Sequence, residues 1–178
     1  MAERVHDSVD RDLDAWMAEL PGVDPAVEAI RMRLRRLGQG MNRLLDEIAA
    51  RHDLTLGDWE TLSVLRRGGS PYVSTPTALA QALGVTSGTI SVRLERLQRA
   101  GLIEPAGKPS DRRGRPVGLT ALGAERWRAA TADRTALEAN LISGSLDPAE
   151  IAVLSDLLRK VAMRVERATH GDPPSSAG

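Results

Sequence analysis

The sequence predicts a mainly α-helical chain with one small β-hairpin. Three observations point there. Apolar residues recur at helical spacing along most of the 178 residues, with Leu, Ala, Arg and Glu dominant. Gly and Pro sit in short clusters between those periodic stretches, where they stop and start helices. Two short apolar pieces, 102–105 and 117–119, flank a polar, basic run and are too short to be helices. No internal repeat is visible.

Taken in order, residues 8–20 form a first helix, with Ser8 as the expected N-cap. Arg11 stands where a capping box would need an acid or amide. Leu13, Trp16, Met17 and Leu20 make one apolar stripe, and Pro21-Gly22 ends it. Asp24-Pro25 opens a second helix running to about 51, with Pro in the first turn where its missing N–H costs nothing. Ile30, Leu34, Leu37, Met41, Leu44, Leu45 and Ile48 form its apolar side, and Gly38 and Gly40 are weak points. Thr55 caps a third helix carrying Trp59, Leu62, Val64 and Leu65, which stops at Gly68-Gly69. Residues 68–76 read as a loop. Thr75 or Thr77 opens a short helix broken by Gly84, and Thr86 or Ser87 caps the next, which ends at Gly101. Thr120 caps a long helix to about 141, Gly144 interrupts it, and Asp147-Pro148 starts a last helix to about 168. The expected divisions are an extension helix (1–24), a dimerisation helix (25–53), a helix-turn-helix with its hairpin (54–119), C-terminal dimerisation helices (120–168) and a disordered tail (169–178).

Composition removes several function classes. No cysteine is present, which excludes thiolate metal sites, thiol catalysis and a disulfide scaffold. Three histidines are too few for a histidine-rich metal site. No apolar run reaches the length of a membrane span, and the N-terminus lacks an apolar signal core, so a cytoplasmic location is expected. Acids and arginines are plentiful, but no nucleophile–base pair, phosphate loop or metal cluster is legible, so no enzyme and no cofactor are expected. The 24 basic and 24 acidic residues sum to zero. The zero hides segregation: residues 1–28 carry a net −6 and residues 86–119 a net +4. A local positive field of that kind suits nucleic acid even when the average does not.

Residues 76–101 carry the most specific pattern. A short helix, a Gly-Val turn and a second helix make a helix-turn-helix. Ala80 is small where the helices would cross, Gly84 suits a turn with positive φ, and Val85 fills the space between them. Ile90, Leu94 and Leu97 bury one face of the second helix. Its N-terminal turn offers Thr86, Ser87 and Thr89 to a DNA groove, and Arg93 and Arg96 could reach bases or phosphates. The following hairpin reads as a wing, with Lys108, Arg112, Arg113 and Arg115 at its tip and Asp111 placed to brace one arginine. The partner implied is a double-stranded DNA operator. A winged helix that binds protein instead is the rival, and it would leave the wing arginines dispensable.

The stretch DRRGRPVGLTALG resembles the wing signature of the MarR family of winged helix-turn-helix transcription regulators. Asp111 and Arg113 fall on that family's Asp and wing Arg, and Leu119, Thr120 and Gly123 on its strand-to-helix junction. Pro116 departs from the usual apolar strand residue and would remove a hairpin hydrogen bond. The resemblance implies an intertwined homodimer, a palindromic operator and a repressor role. It also accounts for the apolar surface of the last two helices: Leu137, Leu141, Leu146, Ile151, Leu154, Leu157, Leu158, Val161 and Val165. The extra first helix is similar to that of the family's urate-responsive, PecS-like branch. That likeness implies a ligand pocket lined by Trp16, Glu60 and Arg93, with urate or another aromatic anion as effector. The branch's acid is usually Asp rather than Glu, and Pro105 stands where a second arginine is expected.

Overall fold

The computed structural model describes residues 6–107 and 115–169. Seven helices and three short strands follow in order: α1 (Ser8–Glu19), α2 (Pro25–Arg51), α3 (Leu56–Arg67), β1 (Val73–Ser74), α4 (Pro76–Leu83), α5 (Ser87–Arg99), β2 (Ile103–Pro105), β3 (Val117–Leu119), α6 (Ala121–Ser143) and α7 (Pro148–Thr169). The fold is mainly helical with a small antiparallel sheet.

Local chemistry sets the helix starts. The cap of α1 is Asp7, not Ser8: its carboxylate accepts from the backbone N–H of Val9 and Asp10, and Asp10 returns a bond to the Asp7 N–H. A carboxylate at this position gains from the helix dipole as well as the hydrogen bonds, which a serine hydroxyl does less well. Asp24 caps α2 with Pro25 behind it, and Thr55 and Asp58 form a reciprocal capping box on α3. Thr75 and Thr86 cap α4 and α5. Helix α2 runs unbroken through Gly38 and Gly40.

Residues 68–76 are not all loop. Val73–Ser74 pairs with β3, so the wing is a three-stranded sheet of order β1-β3-β2 rather than a two-stranded hairpin. Two residues between Pro71 and Pro76 carry too little periodicity to read as a strand; pairing with β3 makes them one. Pro105 lies on the edge strand β2, where a missing N–H is tolerated. Pro116 has no N–H to donate, but its carbonyl accepts from the Ala106 N–H at 2.8 Å, so the ladder continues one step beyond the strands.

The core joins α3, α4, α5 and the sheet. Trp59, Leu62, Leu65, Leu79, Ile90, Leu94, Leu97, Leu102, Ile103 and Val117 are buried together, with Val85 packed against them. Gly84 takes the left-handed conformation at φ 63°, and the Val85 N–H closes onto the Ala80 carbonyl at 3.0 Å. This fixes the angle between α4 and α5.

The chain divides into two units, Met1–Ala130 and Thr131–Gly178. The division falls inside α6, because its first turns are tied to the winged helix. Thr120 donates to the carbonyls of Gly101 and Leu102, Trp127 Nε1 donates to Ser63 Oγ at 2.9 Å, and Arg126 donates to the His52 carbonyl at 2.7 Å. A Cβ on Gly123 would stand 2.0 Å from the Leu102 carbonyl oxygen, so only glycine permits this junction. In the second unit no residue of α7 is buried. Among the described residues, no helix is long and apolar enough to cross a membrane.

Candidate nucleic-acid interface and ligand cleft

The N-terminal turn of α5 presents Thr86, Ser87, Gly88 and Thr89, all exposed. Thr86 Oγ1 accepts from the Thr89 N–H at 3.2 Å and shares a hydrogen bond with Thr89 Oγ1 at 2.9 Å. Ser91, Val92 and Glu95 continue this exposed face. The turn is small, neutral and open, at the positive end of the helix dipole.

Arg93 and Arg96 do not join that face. Both turn onto α3. Arg96 grips the buried Asp58 through Nε at 2.9 Å and Nη2 at 2.6 Å, and Nη2 also donates to Thr55 Oγ1 at 3.1 Å. Asp58 is only 3% exposed, so this is a charge-assisted bond into the core edge. The carboxylate, as hydrogen-bond partner, raises the Arg96 pKa above its ordinary value. Arg93 reaches the Gly57 carbonyl at 3.3 Å and Glu60 Oε2 at 3.6 Å. The two arginines therefore fasten α5 to α3. Their wheel positions, flanking the Ile90, Leu94 and Leu97 stripe, gave no sign that α3 lies against that flank. The same wheel puts Gly88, Val92 and Glu95 opposite the stripe, a signal for Val92 that went unused. In the wing, Arg115 is exposed. Lys108, Asp111, Arg112 and Arg113 lie outside the described residues.

Of the three residues expected to line one pocket, two meet. Glu60 and Arg93 are the ion pair just described. Trp16 lies elsewhere, on α1 against α2. Its Nε1 donates to Glu28 Oε1 at 2.8 Å, and Glu28, 5% exposed, also accepts from Arg31 Nε at 2.8 Å. Arg31 and the Trp16 N–H hold the Glu28 carboxyl below the usual carboxylate range, against burial that would raise it. Trp16 borders a cleft of about 550 Å³ lined by Arg11, Asp12, Ala15, Arg31, Met32, Arg35 and Arg36. Neither Glu60 nor Arg93 is among its lining.

Sequence reasoning missed how the acidic extension is held. Arg33 of α2 binds Asp7 at 2.9 Å and Asp10 at 2.5 Å, and Arg36 binds Asp12 at 2.5 Å and also Ser8. The Arg33 guanidinium lowers the Asp7 pKa from 3.8 to about 2. An acid at every second or third position of one helix, beside arginines on the next, was the available signal.

A helix-turn-helix followed by a sheet wing, set between long flanking helices, defines a winged helix-turn-helix protein. Residues 52–114 match the MarR family model. Over that segment the chain is similar to the MarR family. Among relatives it is similar to the HTH-type transcriptional regulator PecS of Dickeya dadantii, 30% identical over 105 residues, which cover 59% of this chain and 63% of PecS. Less than two thirds of that relative's length is thus matched. Among solved structures, a mutant MarR from E. coli complexed with operator DNA is 27% identical at a TM-score of 0.60, covering 76% of this chain and 95% of that one. AbsC from Streptomyces coelicolor shares the fold at a TM-score of 0.66 and 24% identity, over 81% of this chain and 96% of AbsC.

Proposed function

We propose that this chain is a sequence-specific DNA-binding repressor that acts as a homodimer on a palindromic operator. The observation that carries the reading is the braced recognition helix: α5 offers an open, neutral N-terminal turn while Arg93 and Arg96 secure it from behind. Thr86, Ser87 and Thr89 enter the major groove, with Ser91 and Val92 beside them, the latter suited to a thymine methyl. Lys108, Arg112, Arg113 and Arg115 supply the wing's contacts to phosphates and the minor groove, with Asp111 bracing one of them. The structure of a MarR complexed with operator DNA supports this for a relative. The exposed apolar residues of α7 support the dimer.

A small aromatic anion, urate being the first candidate, lowers DNA affinity in this reading. It would compete with Glu60 for Arg93 and so loosen α5 from α3. Because Arg93 belongs to the recognition helix, operator and effector would weaken each other's binding by the same factor.

The test is fluorescence anisotropy on promoter DNA. Neutralising six or more phosphates would cost about a thousandfold in affinity between 50 and 200 mM salt. Arg113→Ala should weaken binding, and urate should release the duplex. A flat salt response with an unaffected Arg113→Ala would leave the protein-binding rival standing.

A further inference from the structure

Gly57 stands in the first turn of α3, where the backbone is ordinary right-handed helix. Its conformation does not call for glycine, and glycine is a poor helix former. What the position lacks is a side chain, and Arg93 of α5 uses the space. A Cβ on Gly57 would stand 2.4 Å from the Arg93 guanidinium carbon and 2.7 Å from both Nε and Nη2. With the carbon nearest and two nitrogens equally distant, that point lies over the face of the guanidinium plane. Arg93 therefore lies flat against the bare backbone of α3. Its Nη1 donates to the Gly57 carbonyl at 3.3 Å and faces Glu60 Oε2 at 3.6 Å. The same carbonyl accepts from the buried Thr61 Oγ1 at 2.7 Å. Glu60 supplies the charge that attracts the guanidinium, and Gly57 supplies the room for it to come this close. Arg96 needs no such room, because its partner Asp58 reaches out to it as a side chain.

We propose that Gly57 is a positioning residue for sequence-specific DNA recognition: the side chain it lacks is the seat of Arg93, and the seated arginine sets the start of α5 against α3. The functional half of this rests on the DNA-binding reading of α5. Arg93 lies one turn beyond Thr89, so of the two arginine anchors it is the nearer to the turn that enters the groove. A side chain at position 57 lifts the guanidinium off α3 and frees that end of α5. It also releases a cation beside the DNA, which strengthens contact with any phosphate and with no particular sequence.

Gly57→Ala, Arg93→Ala and the double variant of the full chain test it in two measurements. The first is thermal unfolding at one protein concentration. In the Arg93→Ala background, Gly57→Ala should raise the midpoint by about 2 °C, the ordinary gain of alanine over glycine in a helix. In the wild-type background that gain should be absent or reversed, because the new Cβ displaces Arg93. The second is the ratio of affinities for a promoter duplex and a random-sequence duplex of equal length, read by anisotropy. Gly57→Ala should lower the ratio about tenfold, and it should lower it no further once Arg93 is already alanine, since both changes act through one contact. An equal rise in midpoint in both backgrounds would overturn the seat. A discriminating wild type whose ratio is unchanged by Gly57→Ala, or a double variant that loses more than Arg93→Ala alone, would overturn the positioning role. A wild type that does not discriminate at all fails the DNA-binding reading and the positioning role with it, and the thermal comparison then decides the seat by itself.

Discussion

Asp58 and Arg96 show how one residue's role depends on a partner 38 positions away. Asp58 completes the Thr55 capping box and, at 3% exposure, receives the Arg96 guanidinium. Asp58→Ala removes a cap and a charge-assisted pair together, so it should cost about 2–3 kcal/mol in urea unfolding. Arg96→Gln should cost about 1 kcal/mol, because much of the guanidinium already contacts water. A fully stable Arg96→Gln variant with weakened DNA binding would instead make Arg96 a DNA contact. Arg93 and Arg96 were legible as the cations of a recognition helix. Their direction was not, because a guanidinium on a long stem can serve either neighbouring face and packing chooses between them.

Glycines separate the elements that need close approach from those that do not. Gly123 lets the start of α6 meet the Leu102 carbonyl, and Gly123→Ala should cost about 2 kcal/mol or more, since backbone must move. A Cβ on Gly40 meets nothing within 4 Å in the middle of α2, so Gly40→Ala should stabilise by about 1 kcal/mol. Thermal unfolding of the two variants should therefore shift in opposite directions. The docking of α1 is an element-scale matter too, and it depends on pH. Arg33 lowers the Asp7 pKa to about 2, and Arg31 lowers that of Glu28, so both groups stabilise the folded state above the ordinary carboxylate range. That stabilisation is complete above about pH 5 and is lost as pH falls through 4 towards 2. The Trp16 indole N–H resonance, bonded to Glu28, should hold its position to pH 5 and move below it. A resonance that does not change down to pH 2 would refute the α1–α2 pairing. Helix positions and the Asp24, Thr55 and Thr86 caps were legible because each depends on neighbours within four residues. The Asp7 cap and β1 were not: Ser8 was an equally good local candidate, and β1 exists only through β3.

Two features stand out at the scale of the molecule. The α7 residues Leu154, Leu157, Leu158, Val161 and Val165 recur at helical spacing and are 42–55% exposed, as one stripe. A stripe of that size is where the proposed dimer would form. Replacing Leu154 and Leu158 together by Glu should give a monomer in sedimentation and weaken operator binding more than tenfold, since a palindrome then loses its second half-site. The second feature is charge. Asp7, Asp10 and Asp12 are used against Arg33 and Arg36 of α2, so part of the net −6 of residues 1–28 is compensated within the first unit.

The sequence by itself determined the helices, the caps that depend on close neighbours, the Gly84 turn, the wing strands β2 and β3 and a cationic stretch from 86 to 119. These follow from spacing, from the conformations glycine and proline permit, and from short-range hydrogen bonds. Tertiary structure decided which cations are available. Packing α5 on α3 commits Arg93 and Arg96 to Glu60, Gly57 and Asp58. Packing α1 on α2 commits Arg33 and Arg36 to Asp7, Asp10 and Asp12. The physical reason is that an ion pair between helices depends on a separation of a few ångströms across residues 20 to 40 apart in the chain, which no local pattern encodes.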